Sequence, residues 1–439
     1  MGKLFETEEK ELAPSPVILV GLDSRETDYD FRHSLDEMIS LIEACDLEPV
    51  CMLTQVLEHP DKATYIGKGK AFELADTVKE FKAEICVFEG NLSPAQMKNL
   101  QKIVEVPVWD RTNLILEIFS KRARTREARL QVETAYLQYM LPRLTGMWQH
   151  LGRQGGGSGS RSNKGVGETQ IELDRRHINH RIAELSRELE TITRTRNVQR
   201  EGRERGNIPS VALVGYTNAG KSSLMNKLLA LSGGEEEKQV FEKNMLFATL
   251  DTSIRHIYRE NKRDFLLSDT VGFIENLPHG LIKAFRSTLD EVKYADLLLI
   301  VLDSSDPYHK QHMQVTEATL KELDAGGIPR IYVMNKSDLL EEDVTRKIRA
   351  AEDRVYISTK TGSGIDELLG AIENILFGSQ KLVKVCIPYS KGELLNELHQ
   401  NCKIDAEEYT GDGIEVTAHV PERMFGRVEK YIVKIDNEN

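Results

Sequence analysis

The stretch Gly215-Tyr216-Thr217-Asn218-Ala219-Gly220-Lys221-Ser222 matches the phosphate-binding pattern G-x-x-x-x-G-K-[ST]. It follows the apolar run 211–214 and precedes 223–231, a run with helical spacing, so it reads as the turn between a strand and a helix. The glycines let the backbone turn sharply and aim N–H groups at phosphate oxygens. The start of the following helix, with Ser223 in its first turn, adds partial positive charge. Lys221 can reach β- and γ-phosphates, and the Ser222 hydroxyl can bind Mg2+. The motif predicts a nucleoside triphosphate site in an α/β domain and leaves the base open.

Motifs further along the chain narrow the base. Asp269-Thr270-Val271-Gly272 comes after the apolar run 265–268. An Asp at that strand end can hold Mg2+ through water, and the Gly272 amide can sense a γ-phosphate. Asn335-Lys336-Ser337-Asp338 comes after the run 330–334. The Asp338 carboxylate can accept from both N1–H and the 2-amino group of guanine. Adenine lacks that amino group and turns a lone pair toward the carboxylate, which leaves a polar contact unmade and costs about 1–3 kcal/mol or more. Ser358-Thr359-Lys360, after the run 355–357, suits the loop that completes a guanine pocket. Such motifs in this order, each at a strand end, predict GTP and GDP as ligands, because open α/β sheets bind ligands at the carboxyl ends of their strands.

Between the first two motifs lies Leu246-Phe247-Ala248-Thr249-Leu250-Asp251. A switch segment here must supply a hydroxyl to Mg2+, and Thr249 is the first choice, with Thr252 as the alternative. With Lys221 and Gly272, Thr249 completes the expected catalytic set; with Ser222 and Asp269, it completes the expected metal set. The residue after Gly272 is Phe273, where many small GTPases carry a water-orienting Gln. Intrinsic hydrolysis is therefore expected to be slow until a partner or an ion completes the site. The amide oxygen of Asn218 offers a place for K+, although ordinary phosphate-loop packing explains an Asn equally well.

The rest of the chain divides by its patterning. Residues 16–120 alternate short apolar runs (16–22, 50–53, 84–88, 106–109) with amphipathic ones (34–44, 70–81, 94–103), the rhythm of a parallel sheet with covering helices. Leu130, Leu137, Leu141, Leu144 and Trp148 keep a heptad-like spacing, as do Ile171, Ile178, Ile182, Leu185, Leu189 and Ile192, which predicts an antiparallel helical hairpin. The Gly- and Ser-rich stretch 154–168 is expected as a mobile loop at its tip, and 200–206 as a polar link. The expected fold class is thus α/β and multidomain: an N-terminal parallel α/β domain (1–120), the hairpin (121–207), a P-loop, Ras-like G domain (208–377) and a small α+β C-terminal domain (378–439).

The composition, 40% hydrophobic and 29% charged with a formal net charge of -12, is that of soluble globular domains and excludes nucleic-acid binding by bulk charge. The basic residues cluster instead on the hairpin. Arg122, Arg124, Arg126, Arg153, Arg161 and Lys164 lie around Gly155-Gly156-Gly157 and are expected to contact RNA, alongside Lys121, Arg129 and Arg143. The competing reading for 121–129 is a solvated helix face in which arginines pair with glutamates. Five scattered cysteines with no Cys-x-x-Cys pair suggest reduced, buried thiols and a cytoplasmic chain. The charged first residues lack a signal-peptide core, and no apolar run approaches the length of a membrane span. A monomer is expected, since the heptads can be satisfied within one chain.

The phosphate loop, the FATLDT run at 247–252, DTVGF at 269–273 and NKSD resemble the Obg–HflX group of GTPases. Tyr65-Ile66-Gly67-Lys68-Gly69-Lys70, Leu92-Ser93-Pro94-Ala95-Gln96-Met97, Trp109-Asp110-Arg111-Thr112, Arg122-Ala123-Arg124-Thr125-Arg126 and Gly167-Glu168-Thr169-Gln170 resemble the HflX family itself. The resemblance implies a factor that binds the large (50S) ribosomal subunit in its GTP form, splits ribosomes or assists their maturation, and is stimulated by the ribosome. It implies that the hairpin loop reaches toward the peptidyl transferase region, though residues 157–168 depart from the usual pattern there. It also raises ATP binding through the N-terminal part, for which Gly67-Lys68-Gly69-Lys70 is the candidate loop; a plain turn before a helix accounts for the same residues. An RNA-remodelling ATPase working through the N-terminal half, with a regulatory G domain, is the alternative reading.

Overall fold

The computed structural model describes residues 14–24, 31–144, 163–205, 208–232, 253–258, 264–274, 291–340, 354–378 and 380–435. The chain falls into two compact units, one running to Glu190 and the other from Thr191 onward through the described residues.

The first unit is built on strands β1 (Ser15–Asp23), β2 (Leu47–Val56), β3 (Ile85–Phe88) and β4 (Val108–Asp110), in the order β2-β1-β3-β4 and all parallel. β1 is buried over nearly its whole length, as a strand covered on both faces must be. Helices α1 (Phe31–Ala44), α2 (Lys68–Phe81) and α3 (Pro94–Val104) are the crossovers. α3 starts at a capping box, in which the Ser93 side chain accepts from the Gln96 N–H and the Gln96 side chain accepts from the Ser93 N–H.

Helix α4 (Arg111–Arg122) is missing from the sequence expectation. The Asp110 carboxylate caps it through the Asn113 N–H, and Leu114, Ile115, Leu116, Ile118 and Phe119 are all buried. A helix that is apolar most of the way round shows no amphipathic stripe. Helix α5 (Arg126–Met140) and helix α6 (Asn163–Arg205) form the hairpin. Arg126 pairs with Glu188 at 2.8 Å, and Arg181 grips Glu133 through two nitrogens at 2.8 and 3.2 Å, so the partners run in opposite directions. Leu185 is fully buried, while Ile178, Ile182, Leu189 and Ile192 are half-buried.

The structure corrects two expectations in this region. The loop expected over 154–168 is already helical from Asn163, and the link expected over 200–206 is helical through Arg205. Once a helix exists, each added residue gains a hydrogen bond. That offsets the roughly 1 kcal/mol that each of Gly165 and Gly167 costs, and the Arg/Glu-rich end has good helix propensity.

The second unit carries a six-stranded sheet: β5 (Ser210–Gly215), β6 (Ser253–Ile257), β7 (Phe265–Asp269), β8 (Leu297–Asp303), β9 (Arg330–Asn335) and β10 (Arg354–Tyr356), in the order β10-β9-β8-β5-β7-β6. All pairings are parallel except β6 with β7. Side chains alternate between two cores. Val211, Leu213, Leu297, Leu299 and Val301 face α7 (Lys221–Leu231) and α9 (Ile365–Phe377). Ala212, Val214, Leu298, Ile300 and Leu302 face α8 (His309–Glu322), with Phe273 and Val292. That double burial explains the unbroken apolar runs of the sequence. A final sheet, β12 (Lys403–Tyr409), β13 (Ile414–Pro421), β11 (Gln380–Ile387) and β14 (Ile432–Ile435) in that order, is antiparallel; α10 (Gly392–Asn401) and α11 (Glu422–Val428) complete a β-α-β-β-α-β module. Among the described residues no helix is long and apolar enough to cross a membrane.

Candidate nucleotide site

The motifs converge at the carboxyl ends of β5, β7, β9 and β10, all within the second unit. The phosphate loop leaves β5 at Gly215, whose φ of +141° suits glycine; a Cβ there would stand 2.2 Å from the Val301 carbonyl oxygen. Gly220, φ +93°, ends the loop, and a Cβ on it would meet Asn335 Nδ2 at 2.2 Å. Asn218, at the exposed tip, also has positive φ, a conformation that Asn tolerates better than most residues. Thr217 and Ala219 are buried.

Lys221 opens α7 and is almost fully buried. Its Nζ donates to the carbonyl oxygens of Gly215 (3.1 Å) and Tyr216 (2.7 Å). Burial pushes its ammonium from the ordinary 10.5 down to about 8, against the opposing pull of Asp269. Ser222 Oγ donates to Asp269 Oδ2 at 2.8 Å. Asp269 ends β7 with no exposure, and the hydroxyl of the neighbouring Thr270 donates to the Leu213 carbonyl at 2.7 Å, locking β7 to β5. A hydroxyl and a carboxylate side by side are the hard oxygen donors that Mg2+ prefers. Thr217 Oγ1 is buried in the same loop with no hydrogen-bond partner among the described residues. This donor set fits a Mg2+ ion.

Gly272 lies against the lysine, for a Cβ on it would stand 2.9 Å from Lys221 Nζ. Val271 before it and Phe273 after it are buried. The Phe273 N–H donates to the Gly215 carbonyl (3.0 Å), the Thr217 N–H donates to the Phe273 carbonyl (2.9 Å), and Tyr216 forms an isolated parallel bridge with Phe273. Phe273 belongs to the buried core cluster that also holds Val214 and Val292.

The base-binding motifs are tied to the phosphate loop through Asn335. It has no exposure; its Nδ2 donates to the Ala219 carbonyl at 2.9 Å, and its Oδ1 accepts from the Thr359 N–H at 3.2 Å. Ser358 Oγ donates to Asp338 Oδ1 at 2.6 Å and accepts from the Thr361 N–H at 3.1 Å, so one hydroxyl aims the carboxylate. Lys336 pairs with Asp303 at 2.7 Å, and Lys360, two residues after Ser358, is exposed. Asp303 and Ser304 are site residues that sequence reading missed. The Ser304 N–H and hydroxyl both donate to the Asn335 carbonyl, at 2.9 and 2.6 Å. The available signal was Asp303-Ser304 at the end of the longest apolar run.

Other expected site residues stand elsewhere. Phe247, Ala248, Thr249, Leu250 and Asp251, with the alternative Thr252, lie outside the described residues, as do Arg153, Gly155, Gly156, Gly157 and Arg161. Lys164 lies in the first turn of α6, its side chain outside the described residues. In the first unit Arg124 and Arg126 are exposed, Arg126 being paired with Glu188, while Arg122 is half-buried. Lys121 pairs with Asp46 at 3.0 Å, and Arg143 with the buried Asp110 at 3.2 Å. Gly67-Lys68-Gly69-Lys70 is the entry to α2: the Gly67 N–H donates to Gln55 Oε1 at 2.8 Å, and Lys70 pairs with Glu73 at 2.7 Å. All five cysteines are free, and burial pushes the Cys45 and Cys86 thiols up to about 12, which makes both poor nucleophiles.

Comparison with known proteins bears on all four regions. Family models match residues 32–120 (GTP-binding GTPase N-terminal), 122–203 (GTP-binding GTPase middle region), 210–336 (50S ribosome-binding GTPase) and 343–436 (HflX C-terminal domain). The chain is 43% identical over 417 residues to the GTPase HflX of Caldanaerobacter subterraneus subsp. tengcongensis, covering 95% of this chain and 93% of that one. It is 40% identical over 382 residues to the GTPase HflX of Escherichia coli strain K12, covering 86% and 87%. A crystal structure of a GTP-binding protein from the archaeon Sulfolobus solfataricus in complex with GDP is 25% identical, with a TM-score of 0.44 over 82% of this chain and 98% of that one. The phosphate loop, the Asp-x-x-Gly and Asn-Lys-x-Asp segments on one sheet and this identity over most of the length together establish that the chain is a GTP-hydrolysing enzyme of the HflX family.

Proposed function

We propose that this GTPase binds the large ribosomal subunit in its GTP form, splits ribosomes or assists their maturation, and is released by hydrolysis that the ribosome accelerates. The observation that carries the reading is the burial of Phe273. The position that orients the attacking water in many small GTPases is here a ring buried in the core, so the chain supplies no group from that position and an external activator is needed. The family description over residues 210–336 and the exposed Arg124 and Arg126 at the base of the hairpin support a ribosomal activator.

In this reading Ser222 and Asp269 would hold Mg2+, with Thr249 as the switch ligand, and the ion would supply positive charge beside the β- and γ-phosphates. Lys221 gives up the carbonyls of Gly215 and Tyr216 for phosphate oxygens. The Gly272 N–H meets the γ-phosphate, and Asp338, aimed by Ser358, accepts from guanine. Asn218 is the candidate for K+. The phosphate loop and the segment around Gly272 report which nucleotide is bound, and loss of the γ-phosphate releases the switch.

The test is steady-state GTP turnover with and without purified 50S subunits, in K+ and then in Na+ buffer. Strong stimulation by the subunits is expected. Turnover unchanged by 50S subunits in either buffer would defeat the ribosomal assignment while leaving the GTPase intact.

A further inference from the structure

The loop between β8 and α8 touches both ends of the nucleotide site. At the base end, Asp303 pairs with Lys336 and Ser304 donates twice to the Asn335 carbonyl. At the phosphate end, the His312 ring on α8 lies flat on the ring of Tyr216, with centroids 3.8 Å apart and planes 10° from parallel. Both residues are 5% exposed. Asp306 flanks His312 on its own side: its Oδ2 stands 3.6 Å from His312 Nδ1, and its Oδ1 accepts from the Tyr308 N–H at 2.8 Å, which fixes the carboxylate.

Tyr216 is the residue on which the rest of the site hinges. Its carbonyl accepts from Lys221 Nζ. It is bridged to Phe273, with the hydrogen bonds Phe273 N–H to Gly215 and Thr217 N–H to Phe273 on either side. Gly272, the candidate γ-phosphate contact, immediately precedes Phe273. The bridge therefore holds one end of the segment that carries Gly272, and the Tyr216 side chain ties the bridge to α8 through the stack on His312.

We propose that His312 is a positioning residue for GTP hydrolysis: stacked on Tyr216 and flanked by Asp306, it holds the bridge that anchors the Gly272–Phe273 segment. It touches no reacting atom and acts through Tyr216. Small misplacements at a reacting centre cost up to about a hundredfold in rate, so the effect falls on turnover more than on ground-state affinity for GDP, which makes no γ-phosphate contact. The inference rests on the reading of Gly272 as the γ-phosphate contact.

The experiment compares His312→Ala, His312→Phe, Tyr216→Leu, the His312→Ala/Tyr216→Leu double variant and Gly272→Ala in the full chain. The readouts are kcat and KM for GTP, Kd for GDP, and Tm. His312→Ala is expected to lower kcat by about tenfold with Kd for GDP within about twofold. His312→Phe, which keeps a flat ring on Tyr216, is expected to recover most of that loss. The double variant is expected to fall no further than the worse single one, because the two residues act as a unit. Wild-type kcat in His312→Ala, or a loss of kcat accompanied by a lower Tm and a raised Kd for GDP and not recovered in His312→Phe, would overturn the proposal. Gly272→Ala separates the two readings: if it hydrolyses GTP normally, the γ-phosphate assignment fails first; if it is inactive while His312→Ala is normal, only the stack fails.

Discussion

Lys221 makes nucleotide affinity depend on alkaline pH in a way that can be worked out beforehand. Without nucleotide its ammonium is buried, with its charge opposed by desolvation and only partly supported by Asp269, so it loses its proton near pH 8. Phosphates placed against it favour the charged form and raise that value. Between those two values binding takes up a proton. Below pH 8 the amine is charged in both states and affinity is flat. At pH 9 roughly ten free molecules are neutral at this site for each charged one, so GDP binding weakens by about tenfold, or ~1.4 kcal/mol. For folding the sign is the reverse. The depressed value means the ligand-free folded state holds fewer protons than the unfolded chain between about 8 and 10.5, so this group's contribution to stability rises with pH across that window and is most unfavourable below it. The assay is calorimetric titration of GDP from pH 7 to 9 in buffers of different ionisation enthalpy, which counts protons taken up. Guanine itself titrates in alkali, so Lys221→Gln is measured in parallel and should show a shallower slope as well as weaker binding. Equal slopes for the two proteins, or no proton uptake by the wild type at pH 8.5, would refute the argument that the buried amine is the titrating group.

Asp338→Asn exchanges an acceptor pair for an amide and should weaken GTP binding by about a hundredfold or more while improving binding of xanthosine triphosphate, measured by competition with a fluorescent nucleotide. Ser222→Ala removes the hydroxyl that lies 2.8 Å from Asp269 and should lower kcat by about a hundredfold, with the Mg2+ concentration for half-maximal rate rising; wild-type Mg2+ dependence would clear Ser222 of a metal role. Asn335→Ala leaves the Ala219 carbonyl and the Thr359 N–H without their partner, which should cost about 2–4 kcal/mol in urea unfolding and loosen GDP binding as well.

The nucleotide motifs are legible in the sequence because each depends on local chemistry: glycines where φ is positive, a lysine and a hydroxyl at a helix start, a carboxylate where an apolar run ends. The parallel sheets are legible for the same reason, since strands buried on both faces leave unbroken runs such as 297–302. What escapes is non-local. The stack of Tyr216 on His312 and the two hydrogen bonds from Ser304 to Asn335 join residues far apart in the chain, and no spacing rule links them. Helix α4 escapes because burial on most sides erases its periodicity, and β6 because its short, half-buried run Ser253–Ile257 has little alternation to show. The hairpin is legible in its heptads, but its helical limits are not, because the Gly/Ser and Arg/Glu composition that suggests loop and link says nothing about how far a helix already formed will propagate.

The order of the second sheet has a consequence for synthesis on the ribosome. β5, which delivers the phosphate loop, lies between β8 and β7, yet both are made after it. Roughly eighty residues separate the end of β5 from the start of β8, and at about 5–20 residues per second the wait lasts about 4–16 s. Until β7 emerges, roughly fifty residues on, an apolar strand meant for full burial has neither parallel neighbour, and for the rest of that time it still lacks β8. Nascent-chain protection, by trigger-type chaperones or by the exit tunnel itself, should therefore matter most while residues 216–297 are being translated. Synonymous codons that slow that window should lower the yield of folded protein more than the same codons placed after Asp303.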